Sequence, residues 1–132
     1  MTAQLANKIA LVTGGASGIG RATAVLFAQS GAKVVVADID AAGGAETVQT
    51  IIAQGDEAFF IQADVSQSDA VQQMINETVA RYGRLDCAFN NAGIEGDIRR
   101  TADVTEEDFD RIMAVNLKGV WLCLKYEIRQ ML

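Results

Sequence analysis

The stretch TGGASGIG, Thr13 to Gly20, stands between an apolar run, KIALV, and a segment of helical periodicity, RATAVLFAQ. A glycine-rich turn at that junction carries the chain from a strand into a helix. Its glycines of interest are Gly14, Gly18 and Gly20, a GxxxGxG pattern and not the GxGxxG spacing. The physical need is similar in both. One glycine permits the tight turn, another lets the backbone approach a pyrophosphate, and a third lets the helix pack close on the strand. The first helical turn, with Ile19, then offers free N–H groups and a positive dipole end to an anion. Ser17 adds a hydroxyl donor. Alone, such a turn also fits a plain strand–helix junction.

Working outward, three further runs have the same character: AKVVVADI, EAFFIQADV and RLDCAFNNAG. Their nearly continuous hydrophobicity suits strands buried on both faces of a parallel sheet. Helical stripes lie between them. Ile19, Thr23, Leu26 and Phe27 form one, and Val71, Met74, Ile75, Thr78, Val79 and Tyr82 another. The segment Ala41 to Ala53 carries Val48, Ile51 and Ile52 at looser helical spacing. A last helix is expected after Thr105, with Thr105 as N-cap and Asp108 three positions on in a capping-box-like arrangement. Acidic residues 106–108 favour the positive end of its dipole. Gly31, Gly55 and Gly83 each follow a helical run, at the C′ position.

Strand and helix therefore alternate four times across one domain, residues 1–132. Alternation of this kind predicts an α/β, Rossmann-type three-layer fold: four βα units, a parallel sheet and right-handed crossovers. The expected strand order is 3-2-1-4, with ligands binding at the carboxyl ends of the strands. Polar residues and glycines fall at those ends. Asp38 ends strand 2, eighteen residues after Gly20, where a carboxylate can accept hydrogen bonds from an adenosine ribose. It would also repel a 2′-phosphate, and no basic residue occupies the loop between Gly14 and Gly18, so NAD is favoured over NADP. Asp64 and Val65 end strand 3, and Asn90, Asn91, Ala92 and Gly93 end strand 4. Each is open to a bland reading as a helix entry or a turn; all four strand ends together point to one ligand edge.

Composition narrows the classes. The net charge is −6, with 17 acidic against 11 basic residues, which argues against nucleic acid or an anionic membrane surface as partner. No apolar run approaches the roughly 18 residues of a membrane span, and the amino-terminal residues lack the pattern of a secretory signal. A cytoplasmic protein is expected. Cys87 and Cys123, 36 positions apart, match no metal-binding spacing and read as buried inert thiols. The absence of histidine removes the commonest general base and metal ligand, and no metal site is expected.

Taken together, TGGASGIG, ADI, ADV, NNAG and VNLKGV resemble a classical short-chain dehydrogenase/reductase, in that family's order and spacing over the whole chain. The resemblance corresponds to about the first half of the family's domain. It implies that Gly14, Ser17, Gly18 and Ile19 line the pyrophosphate and that Asp38 binds the adenosine ribose. Asp64 and Val65 would flank the adenine, and Asn90 with the NNAG turn would contact ribose and brace the sheet. Asn116 matches the Asn that holds a water in the family's proton relay. It stands among Phe109, Met113, Val120 and Cys123, which are expected to form a buried stripe, so its amide is expected to be hydrogen-bonded or wet.

The same resemblance implies hydride transfer between nicotinamide and an alcohol or carbonyl substrate. A Tyr, a Lys four residues later and a Ser perform the acid–base work. No YxxxK occurs here: Asp86 lies four residues after Tyr82 and Gln130 four after Tyr126. Lys125 and Tyr126, adjacent on a helix, point about 100° apart and are not expected to converge. The chain therefore reads as the cofactor half of an oxidoreductase, cut at the end of its fourth helix and inactive alone. A stand-alone NAD-binding module and a non-catalytic interaction fragment stay open. A homo-oligomer is expected through the last helix, whose Val120, Trp121, Leu122, Leu124 and Ile128 face several directions, or through the free edge of strand 4.

Overall fold

The computed structural model describes residues 3–132. Four parallel strands, β1 (Ile9–Thr13), β2 (Lys33–Asp38), β3 (Ala58–Gln62) and β4 (Cys87–Asn90), form one sheet in the order β3-β2-β1-β4. This is the expected order. Leu11 stands opposite Val35 on one side and Ala88 on the other, and Thr13 stands opposite Ala37 and Asn90. All five residues of β1 are buried, as its central place requires.

Alternation along the strands divides the core in two. Ala10, Val12, Val34, Val36 and Ala58 face α1 (Gly18–Gln29) and α2 (Ala41–Ala53). Leu11, Val35, Ala37 and Ile61 face α3 (Ser68–Tyr82) and the carboxyl-terminal helix. Fully burying a side chain of this kind contributes about 1.5–3 kcal/mol, which is why β-branched residues on both faces hold the sheet between two helical layers.

The helix on the first strand corrects the expected stripe in part. Gly20, Ala24 and Ala28 are the fully buried residues of α1, and half-buried Phe27 packs on the same core, whereas Ile19 is 73% exposed and Leu26 48%. The reason is proximity. A Cβ at Gly20 would overlap the Gly14 carbonyl oxygen, so α1 lies too close to the sheet for large side chains along that line. In α3 the reading holds, with Val71, Met74, Ile75 and Thr78 buried. Val48 and Ile51 of α2 are buried and Ile52 is not. Gly31, Gly55 and Gly83 have φ of +102°, +87° and +84°, the left-handed conformation that a C′ glycine supplies.

The last helix is three pieces in one rod: α4 (Glu106–Met113), a π-helical segment over Ala114–Gly119, and α5 (Val120–Met131). Thr105 caps α4, its hydroxyl accepting from the Asp108 N–H at 3.2 Å. The Asp108 carboxylate does not complete a capping box; it faces Arg99 and Arg111 at 3.7 Å. The expected buried stripe is only partly there. Cys123 is buried, but Phe109 is 57% exposed and Met113 lies on the surface, because α4 extends past the sheet that α5 covers. Among the described residues, no helix is long and apolar enough to cross a membrane.

Candidate functional site

The glycine turn and the NNAG turn are built as one unit. Thr13, the last residue of β1, accepts at its hydroxyl from the Ala92 N–H at 3.1 Å. The Asn91 side-chain amide donates to the carbonyls of Thr13 and Gly14 at 3.2 and 3.3 Å. Gly14 has φ +66°, and a Cβ there would sit 2.8 Å from Asn91 Nδ2 and 3.0 Å from Ala92 Cα. Both its backbone angle and its surroundings therefore demand glycine. Gly18 also has a positive φ, +54°, but faces open space, so only the angle demands it.

Behind the turn stands a support that sequence reasoning missed. Arg21 Nε donates to Thr47 Oγ1 at 2.9 Å, and Arg21 Nη2 donates to the Ala16 and Gly43 carbonyls at 2.6 and 3.2 Å. The buried Thr47 hydroxyl donates to the Gly15 carbonyl at 2.8 Å. An arginine after a glycine loop reads as a surface charge, and only the tertiary contact with α2 shows its use.

Asp38 closes the opposite wall. Its Oδ2 accepts from the Ala16 N–H and its Oδ1 from the Asp40 N–H, each at 3.0 Å. The carboxylate is thus pinned to the glycine turn, and lone pairs on both oxygens remain for a ligand. Asp40 itself caps α2, accepting from the Gly43 N–H at 3.0 Å. Asp64 Oδ1 accepts from the Ser66 N–H and hydroxyl at 3.0 and 2.7 Å, so one of its oxygens organises the turn after β3.

These elements enclose a cleft of about 680 Å³ over the carboxyl ends of the strands. Gly14, Ser17, Gly18 and Ile19 line it from the first loop, and Asp38 from the second. Asp64 and Val65 line it from the third, and Asn91, Ala92 and Gly93 from the fourth, with Asn116 beside them. Two expected site residues lie behind this lining. Gly20 packs against Gly14, and the Asn90 amide turns away toward α5, where it donates to Glu127 Oε1 at 2.7 Å. Ser17 makes no capping bond, and α1 has no acidic residue in its first turn, so its positive end opens into the cleft uncompensated. A second concavity, between Met113, Leu117 and Trp121, is mostly apolar and is lined by the last helix alone.

Asn116 is exposed, not buried, and its amide is nonetheless hydrogen-bonded at both ends. Its Oδ1 accepts from the Ile94 N–H and its Nδ2 donates to the Ile94 carbonyl, both at 2.8 Å. It belongs to the π-helical segment, where the widened turn sets it off the regular helical register. The Lys125 ammonium lies 5.3 Å from the ring centroids of both Trp121 and Tyr126. The Tyr126 hydroxyl, however, pairs with Ser68 Oγ at 3.2 Å, outside the cleft. Tyr82 is no better placed; burial and the nearby Glu57 push its hydroxyl up to about 12.

The short chain dehydrogenase family profile matches residues 8–132, so the chain belongs to the short-chain dehydrogenase family. It is 46% identical to a short chain dehydrogenase/reductase of Aspergillus oryzae over 97% of this chain and 49% of that protein. An uncharacterized oxidoreductase of Thermotoga maritima is 48% identical over 95% of this chain and 49% of its own length. Among solved structures, levodione reductase superposes with a TM-score of 0.94 at 38% identity, covering 97% of this chain and 50% of that one. A 3-ketoacyl-(acyl-carrier-protein) reductase of Brucella melitensis, complexed with NADH, gives 0.91 at 38% identity, covering 96% and 51%. The chain thus spans about half the length of the relatives it matches.

Proposed function

We propose that this chain is the dinucleotide-holding part of an oxidoreductase, binding NAD(H) in the cleft over the strand ends. The reaction would be hydride transfer between nicotinamide and an alcohol or carbonyl substrate. The observation that carries the reading is the Asp38 carboxylate, fixed to the glycine turn through the Ala16 N–H with its remaining lone pairs free. Gly14 and Gly18 give the backbone approach that a pyrophosphate needs, and the Ser17 hydroxyl and the N-terminus of α1 supply donors. The fit is supported by Gly14, where any side chain would fill the cradle.

NAD is proposed over NADP because Asp38 would face a 2′-phosphate with like charge. The nearest cation on the loop, Arg21, is held by Thr47, backbone carbonyls and Glu46. The Brucella relative, described with NADH, supports the same choice. When bound, the nicotinamide supplies or accepts the hydride. This chain's residues hold the ribose and phosphates and keep the NNAG turn against the first loop. Asn116, its amide held on Ile94, is proposed to hold the water of a proton relay. Neither tyrosine is placed for acid–base work, so binding without turnover is proposed for these residues alone.

The test is a fluorescence titration of the purified chain with NADH and NADPH, alongside Asp38→Ala. Loss of a charged hydrogen bond to the ribose is worth about 1.5–3 kcal/mol, roughly a tenfold to hundredfold weakening for NADH. Equal affinity of the wild type for both dinucleotides, or no effect of Asp38→Ala, would remove Asp38 from the proposed role.

A further inference from the structure

The one buried carboxylate of the described residues lies behind this site. Glu127 is 2% exposed, on the face of α5 that also buries Leu122 and Cys123. Its Oε1 accepts from Asn90 Nδ2 at 2.7 Å. The other two polar atoms of the pair, Glu127 Oε2 and Asn90 Oδ1, are sealed from solvent and have no hydrogen-bond partner. Two orphan atoms on the same two side chains are unusual, since buried polar groups are nearly always paired. Both are acceptors if the carboxyl is ionised. A single proton changes that.

We propose that Glu127 is a neutral carboxylic acid in the folded chain and closes a two-hydrogen-bond ring with the Asn90 side chain, a proton-dependent latch between α5 and the end of β4. One bond of the ring is the observed Asn90 Nδ2–H to Oε1. The other runs from the Glu127 Oε2–H to Asn90 Oδ1, so the proton satisfies both orphans at once. An external donor is excluded by the sealing of both atoms. No charged group of β4 or α3 acts on the carboxyl; from its own helix it faces Cys123, a thiol that burial itself holds neutral. Burial raises the Glu127 carboxyl above its usual range, and the Asn90 amide opposes this more weakly. The latch stands directly before the Asn91–Gly93 turn in the chain and is independent of which ligand the cleft takes.

The sign of its pH dependence follows. The proton is taken from solvent on folding, because the unfolded glutamate titrates near about 4.3 and the folded one higher. The latch is fully stabilising below the unfolded value and is lost as pH rises toward and through the folded one. In that window the folding constant falls by up to about tenfold per pH unit. Glu127→Gln rebuilds the ring with an amide and has no proton to lose.

Two measurements on the chain test this. The first follows the carboxyl carbon of Glu127 by NMR in the wild type with labelled glutamate, against pH. The second compares urea unfolding of the wild type and Glu127→Gln from about pH 4 upward. A protonated carboxyl persisting above the unfolded range, with a wild-type loss of stability that Glu127→Gln lacks, is expected. An ionised Glu127 at the bottom of that range, or matching pH dependence in the two proteins, would overturn the proposal. The first readout stands even where the variant folds poorly.

Discussion

The Asn116 side chain grips both polar backbone atoms of Ile94, accepting from the N–H and donating to the carbonyl at 2.8 Å each. It ties the π-helical segment to the strand-end turn at the one place where the helix leaves its regular register. Asn116→Ala removes two hydrogen bonds and is expected to cost about 1–2 kcal/mol by urea unfolding. Asn116→Asp sets a carboxylate against the Ile94 carbonyl and should cost more at neutral pH. Equal midpoints for all three proteins would show that the contact contributes nothing.

Gly14 and Gly55 separate backbone strain from loss of the cleft. Both have positive φ, but a Cβ at Gly55 meets nothing, whereas one at Gly14 meets Asn91 and Ala92. Gly55→Ala should cost about 1 kcal/mol, the left-handed penalty for a side chain, and leave NADH binding intact. Gly14→Ala should lose stability further and abolish detectable binding. NADH affinity unchanged in Gly14→Ala would place the ligand elsewhere.

Thr47 supports the loop without touching the cleft. Thr47→Val keeps the shape while depriving the Gly15 carbonyl and Arg21 Nε of partners. The expected loss is about 1–3 kcal/mol in unfolding free energy, with weaker NADH binding, because the glycine turn loses its backing. Calorimetry with NADH, together with a denaturation curve, reads both effects.

The thiols should be inert in the native chain. Burial pushes Cys123 up to about 12 and raises Cys87 as well. A raised thiol is protonated below its pKa, so the reactive thiolate is scarce near pH 8. Intact mass after iodoacetamide treatment should show no modification at Cys123 in buffer and full modification in urea. Rapid native labelling of Cys123 would mean that α5 opens readily from β4.

On the outer face, Phe109, Met113, Leu117, Trp121 and Ile128 are exposed along one rod. Self-association through this face is expected, and Leu117→Glu with Trp121→Ser should shift sedimentation toward the monomer. A wild-type chain that sediments as a monomer at high concentration would contradict it.

Much of this architecture was legible in residue order. The strand runs ended in Asp38, Asp64 and NNAG, and parallel topology put those ends together at one edge. The α3 stripe was legible because its large residues face the sheet. The α1 stripe was legible only at Phe27, since the closest contact there is made by Gly20, Ala24 and Ala28, which carry little hydrophobic signal. Asn116 looked buried because helical spacing groups it with Phe109 and Cys123; Phe109 is itself exposed where α4 extends past the sheet, and the π-helical segment, which no periodicity announces, shifts the register there. Nothing in the local sequence around Glu127 or Arg21 marks a role for either. Their partners, Asn90 and Thr47, lie 37 and 26 residues away and are brought near only by tertiary packing.

The most direct test of the central claim is an amide-resolved NMR titration of the chain with NAD. Shifts concentrated at Ser17, Gly18, Ile19, Asp38, Asp64 and Gly93 are expected, saturating with a single affinity. No shifts at saturating dinucleotide, or shifts confined to the outer face of α4 and α5, would contradict the assignment of the cleft.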